Sequence, residues 1–183
     1  MKRNLLAITL LFVLAPLAQA QDMPLSQILI PGEGWKKVEN APKPKGLGEV
    51  APTPATLGEP SKTASVRSAD GNTVYVGYSM GTYLHAHAVG KDGLMPGYPY
   101  APLRSKPGTK GIAVTGLAAD KDGRIYAATE IGVQVYDPTG RMCGVLTPAS
   151  QGRPEALAFE GDQLTLWIGD SKYTRTLRTT GVK

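Results

Sequence analysis

Cysteine is nearly absent: Cys143 stands alone, so no disulfide can form within one chain. Its run, Met142-Cys143-Gly144-Val145, reads as half-buried strand, and with no histidine nearby in sequence it lacks the base a nucleophilic thiol needs. Histidine is almost as scarce, with only His85 and His87. Charged residues make up 19%, and the formal net charge of +5 is not gathered into a stripe. That balance excludes a nucleic-acid footprint and reads as a solubility feature. No helical apolar period persists anywhere beyond the first twenty residues.

Those first residues form a group of their own. Lys2 and Arg3 are followed by an apolar run from Leu5 to Leu17 and by Ala18-Gln19-Ala20. A positive start, a short apolar stretch and a small-residue site predict an export leader over 1–20, cleaved near Ala20. The run is too short for a membrane span. Gln21 follows the site where a lipid-anchored protein would carry cysteine, so the expectation is an exported protein, periplasmic or extracellular. Residues 21–38 then read as an N-terminal arm. Residues 39–62 carry Pro42, Pro44, Pro52, Pro54 and Pro60, a density that removes backbone donors and predicts an extended linker.

From 63 to 183 the pattern is period-two alternation broken by turns. Val114–Ala119, Arg124–Thr129, Gly132–Tyr136 and Met142–Leu146 are separated by Asp122-Gly123, Glu130–Gly132 and Asp137–Gly140. Asp-Gly supplies the positive φ of a tight hairpin, and Asp-Pro-Thr-Gly sets φ early and closes on glycine. Four antiparallel strands in about 35 residues make one propeller blade. A similar unit precedes it (Ser65–Ser68, Thr73–Tyr78, Thr82–Val89, Tyr98–Leu103). Another follows with three clear strands: Pro154–Phe159, Leu164–Ile168 and Tyr173–Arg178. Tyr75, Tyr126 and Trp167 centre equivalent strands at intervals of about 40 to 50 residues. The expected fold is all-β, a partial β-propeller of about three blades, with Ser26–Ile30 of the arm as the missing strand of the last.

These units resemble the family that includes gluconolactonase, senescence marker protein and luciferin-regenerating enzyme. The resemblance rests on Ser68-Ala69-Asp70-Gly71 with Thr73–Val76, on Asp120–Thr129, on Gly132–Gly140 and on Arg153–Phe159, together with the arm Pro24–Trp35. It implies a six-bladed propeller holding one divalent cation, calcium or zinc, which polarises a sugar-lactone carbonyl and activates water. It also implies ligands from a glutamate in Glu-Gly-Pro, an asparagine and an aspartate. Here Glu59-Pro60 lacks the glycine, the asparagine position falls on Thr63, and the aspartate position on Thr115. A threonine hydroxyl is neutral and a weak donor to such an ion. The arm also runs into the linker where that family has further blades.

The expectation drawn is a secreted, non-catalytic binding or assembly module without a metal cofactor. The alternative is a metal-dependent sugar-lactone hydrolase with rebuilt ligands, using calcium or zinc. Glu130 and Asp170, in equivalent turns of successive units, are the polar channel candidates, against their plainer role as turn residues. His85 and His87, two apart on one strand, could chelate a transition metal or could simply be polar residues on a solvent face. Tyr78, Tyr83, Tyr98 and Tyr100 suggest a face for a sugar or a partner. A sugar lactone or carbohydrate is the expected ligand class. Three blades cannot close a ring, so a second copy completing six blades is the partner expectation.

Overall fold

The turns set the architecture. At Asp120–Gly123 the Asp120 carboxylate accepts the backbone N–H of Asp122 (3.0 Å) and of Arg124 (2.9 Å). At Asp137–Gly140 the Asp137 carboxylate accepts those of Thr139 (2.8 Å) and Arg141 (3.0 Å). Each turn closes on a glycine with positive φ, Gly123 at 85° and Gly140 at 84°. The same carboxylate-to-backbone device closes both turns, and so fixes the register of the two hairpins they join.

The computed structural model describes residues 23–39, 41 and 64–182. The expected leader over 1–20, nearly all of the expected linker and Thr63 lie outside those residues. The strands are β1 (Lys36–Val38), β2 (Ala64–Arg67), β3 (Thr73–Gly77), β4 (Tyr83–Gly90), β5 (Gly93–Leu94) and β6 (Tyr98–Pro102). They continue as β7 (Gly116–Ala119), β8 (Ile125–Thr129), β9 (Gly132–Tyr136), β10 (Met142–Leu146), β11 (Pro154–Glu160), β12 (Gln163–Ile168) and β13 (Ser171–Thr176). Three antiparallel sheets result: β2-β3-β4 with β6 and the short β5 both on β4, then β7-β8-β9-β10, then β11-β12-β13-β1. Their first strands stand side by side, β2 against β7 and β7 against β11. This is a partial β-propeller of three blades, as the alternation and turns predict.

Strand alternation explains why β7, β8 and β9 of the middle blade are buried along their whole length, while the outer β10 is only partly so. Leu117, Ala119, Ile125, Ala127 and Tyr136 face the first blade and pack with Tyr75, Leu84, Ala86, Ile112 and Val114. Ala118, Tyr126, Ala128, Val133 and Val135 face the third and pack with Leu157, Leu164, Leu166 and Leu177. A single slip in register would send every one of these side chains to the wrong neighbour.

The arm closes the third blade, but not with the expected segment. Ser26–Ile30 is not a strand: Leu25–Gln27 form a short 3-10 turn, and Leu29 makes only an isolated bridge to Leu177. The blade is completed by β1, antiparallel to β13 with Lys37 opposite Tyr173. The cause lies in the prolines and in burial. Pro24 sets φ at −66° ahead of the turn, and Pro31 has no N–H to continue a ladder. Ile28 meanwhile inserts into the core between the second and third blades, and its carbonyl accepts the Arg178 N–H at 2.8 Å. Trp35 then pins the chain by donating its Nε1–H to the Thr147 carbonyl at 2.8 Å.

Candidate functional site

Two chemically different ends follow from the hairpin order. At one end the β7–β8 turn carries a buried polar network. Asp120 is fully buried and accepts from Arg124 Nη1 (3.2 Å) and from the Tyr126 hydroxyl (2.9 Å). Arg124 also donates to Asp122 (3.0 Å) and to Gln27 of the arm (2.9 Å). Burial disfavours the charged guanidinium, yet the Asp120 and Asp122 carboxylates together more than offset this and hold its pKa above the ordinary value. Burial, reinforced by Asp120, pushes the Tyr126 phenol up as well. Both terminal nitrogens of Arg124, the Asp120 carboxylate and the Tyr126 hydroxyl are matched to other protein groups, and the Gln27 contact ties the arm to the blades at this end.

The opposite end is open. The loops that lead from one blade to the next gather there with the β8–β9 turn and enclose a cleft of about 910 Å3. Met80, Lys106, Glu130, Gln151 and Arg153 line it. Glu130 lies 4.0 Å from Lys106 Nζ, and both side chains are largely solvated, so the pair is a loose one. Arg153 is exposed at the rim. The cleft therefore offers two cations against one carboxylate.

The position of Lys106 is built from the core outward. Gln134, on β9 and fully buried, accepts the Arg104 N–H (2.8 Å) and donates to the Arg104 carbonyl (2.9 Å). The same side chain receives the Tyr136 hydroxyl (2.8 Å) and donates to the Thr129 hydroxyl (3.0 Å). A buried amide satisfied on all sides fixes the backbone two residues from Lys106.

The residues singled out from sequence are distributed unevenly. Glu130 is in the cleft; Asp170, exposed in the equivalent β12–β13 turn, is not among the residues lining it. Thr115, just before β7, is half-buried, and its hydroxyl donates to the Ala128 carbonyl at 3.4 Å, the same carbonyl that accepts its N–H at 3.1 Å. Thr63 lies outside the described residues. The tyrosines do not form one face: Tyr83 and Tyr98 are exposed, whereas Tyr100 packs on Tyr75 at 4.6 Å and donates its hydroxyl to the Asp137 carbonyl. Burial pushes the Cys143 thiol up to about 11, which disfavours the thiolate at neutral pH.

His85 and His87 share one face of β4. His87 is buried with Nδ1 3.0 Å from the Met95 carbonyl, and His85 stands edge-on to Tyr78 at 5.1 Å. Burial, then the neighbouring His87, holds the His85 imidazole below its ordinary pKa. Among the described residues no three His, Cys, Asp or Glu side chains come together as a metal-ligand group. No helix among them is long and apolar enough to cross a membrane. Sequence reasoning missed Lys106 and Arg153, which sit in aperiodic loops. The available signal was the stretch Leu103–Gly111, with Arg104, Lys106 and Lys110 and no acid.

Comparison with solved structures places the fold. A gluconolactonase from Xanthomonas campestris matches with a TM-score of 0.52 and 19% sequence identity, covering 62% of this chain and 37% of that one. A calcium-binding protein from Agrobacterium tumefaciens, regucalcin, matches with a TM-score of 0.51 and 16% identity, covering 65% of this chain and 46% of that one. This chain thus spans less than half the length of either, and at such identities the likeness is one of fold. No family model and no curated protein sequence matches it.

Proposed function

We propose that this chain is an exported, non-catalytic binding module, and that its open cleft takes a small sugar-derived acid. The observation that carries the reading is Thr115. Where the family resemblance puts a carboxylate ligand, this chain has a neutral hydroxyl that donates back to the Ala128 carbonyl of the adjoining strand. A hard divalent cation needs anionic oxygen donors. Glu130 is the one carboxylate lining the cleft, with Lys106 beside it, and Asp170 does not line it, so the described residues do not fit the ion that the solved neighbours' fold implies. We therefore route no step through a metal.

The cleft supports a ligand of the opposite sign. Lys106 and Arg153 give it a cationic excess, and Gln151 adds an amide that can donate to or accept from hydroxyls. A guanidinium with a carboxylate partner forms two parallel hydrogen bonds, which fixes the ligand's orientation.

The test is calorimetric titration of the purified chain with gluconate. Saturable binding is expected, weakened about tenfold or more in Lys106→Ala and in Arg153→Ala, the loss of one hydrogen bond to a charged group. Equal binding by wild type and both variants, or none by wild type, would remove the cleft assignment.

A further inference from the structure

His85 and His87 lie two residues apart on β4, so both side chains leave the same face of the first blade. Across β3 they stand opposite Val76 and Val74, which are themselves buried. The imidazoles therefore sit in an apolar setting. The Met95 carbonyl can only accept, so its contact with His87 Nδ1 places the ring proton on that nitrogen. His87 Nε2 is left with a lone pair.

That lone pair has no partner. His87 Nε2 and His85 Nδ1 are both shut off from solvent and have no partner in good hydrogen-bond geometry, although the Tyr83 backbone lies near the His85 ring. Buried polar atoms in this state are rare, and an ion or water that completes them is the usual explanation. The arrangement around His87 matches how a metal-ligating histidine is held: one ring nitrogen donates to a backbone carbonyl, and the other is free to coordinate. Gly97 presses against the ring, since a Cβ at that residue would collide with its Cε1 and Nε2. The ring has one place to be.

We propose that His85 and His87 are the protein half of a site for a divalent transition metal of the zinc class. Two residues of strand separate their Cα atoms by about 6.5 Å. Two imidazoles can close that span onto one ion at metal–nitrogen distances of about 2.0–2.1 Å. Imidazole selects zinc, nickel or cobalt over calcium, so the donor set differs in kind from a hard-cation site. With two protein donors, the remaining positions are left to oxygen donors that reach the ion from the side of the half-buried His85.

The experiment uses the untagged chain, titrated with Zn2+ by calorimetry and with Co2+ by visible absorption. One equivalent of zinc is expected to bind, with cobalt giving the d–d bands of a nitrogen-ligated ion. His85→Ala and His87→Ala are each expected to weaken binding at least tenfold, by analogy with the 10–100-fold losses from second-shell changes. His85 is half-buried and tolerates substitution more readily than His87, so a folded His85→Ala protein, verified by circular dichroism, keeps the test decisive. Cys143→Ser is expected to bind as wild type does. Absence of binding, binding unchanged in the double histidine variant, or binding lost in Cys143→Ser would each overturn the assignment.

Discussion

Replacing Asp120 by alanine is expected to destabilise the fold by about 3–5 kcal/mol, the usual cost of breaking a buried ion pair, because only the partly solvated Asp122 then remains to Arg124. Arg124 has a side chain only 4% exposed, and Asp120 is its buried counterion at 3.2 Å. The same carboxylate also receives two backbone N–H groups and the Tyr126 hydroxyl. Removing it takes the acceptor from four donors at once, of which the Arg124 N–H and the Tyr126 hydroxyl are buried and are left without a partner. Urea unfolding followed by circular dichroism measures the loss. Asp120→Asn, which retains an acceptor oxygen but not the charge, is expected to lose less. Adding Arg124→Met to Asp120→Ala is expected to recover part of the loss, because the uncompensated charge is then gone too. A cost under about 1 kcal/mol for Asp120→Ala would show that the network is not what locks this end.

Ile28→Ala is the second large effect, expected at about 2–5 kcal/mol. Ile28 is 2% exposed and is the arm's main contribution to the core between the second and third blades. Its loss leaves a cavity beside Leu177 and frees the chain that leads to Trp35 and β1. Without β1, the outer edge of β13 would be left with unpaired backbone groups. Limited proteolysis alongside the unfolding curve checks this second consequence: cleavage in the arm is expected to accelerate together with the fall in stability. A normal unfolding midpoint with faster cleavage would mean that the arm is peripheral to the cooperative fold.

Much of the fold was legible because the turns are chemical rather than merely polar. Asp120–Gly123 and Asp137–Gly140 announce their geometry in sequence, and the strands between them follow by alternation. The closing strand was not legible. Lys36–Val38 has no apolar alternation and is exposed along most of its length, so only the free edge of β13 selects it. The apolar residues of Ser26–Ile30, which look like a strand, serve instead to place Ile28 in the core.

The candidate sites divide in the same way. Glu130 was visible as a turn carboxylate, but its neighbour Lys106 depends on Gln134 holding Arg104 across 30 residues of sequence. The histidine spacing was visible as well. The unpaired nitrogen of His87 was not, because it exists only once the segment after β4 folds back to present the Met95 carbonyl.

The central claim is that a propeller fold here binds a sugar-derived ligand without hydrolysing it, and lactone hydrolysis tests it most directly. The purified chain is incubated with glucono-lactone while calcium, then zinc, is titrated in, and acid release is followed against a protein-free blank. The account predicts a rate equal to the blank at every metal concentration. Metal-dependent turnover above the blank, abolished in Glu130→Ala, would contradict it and identify the cleft as an active site.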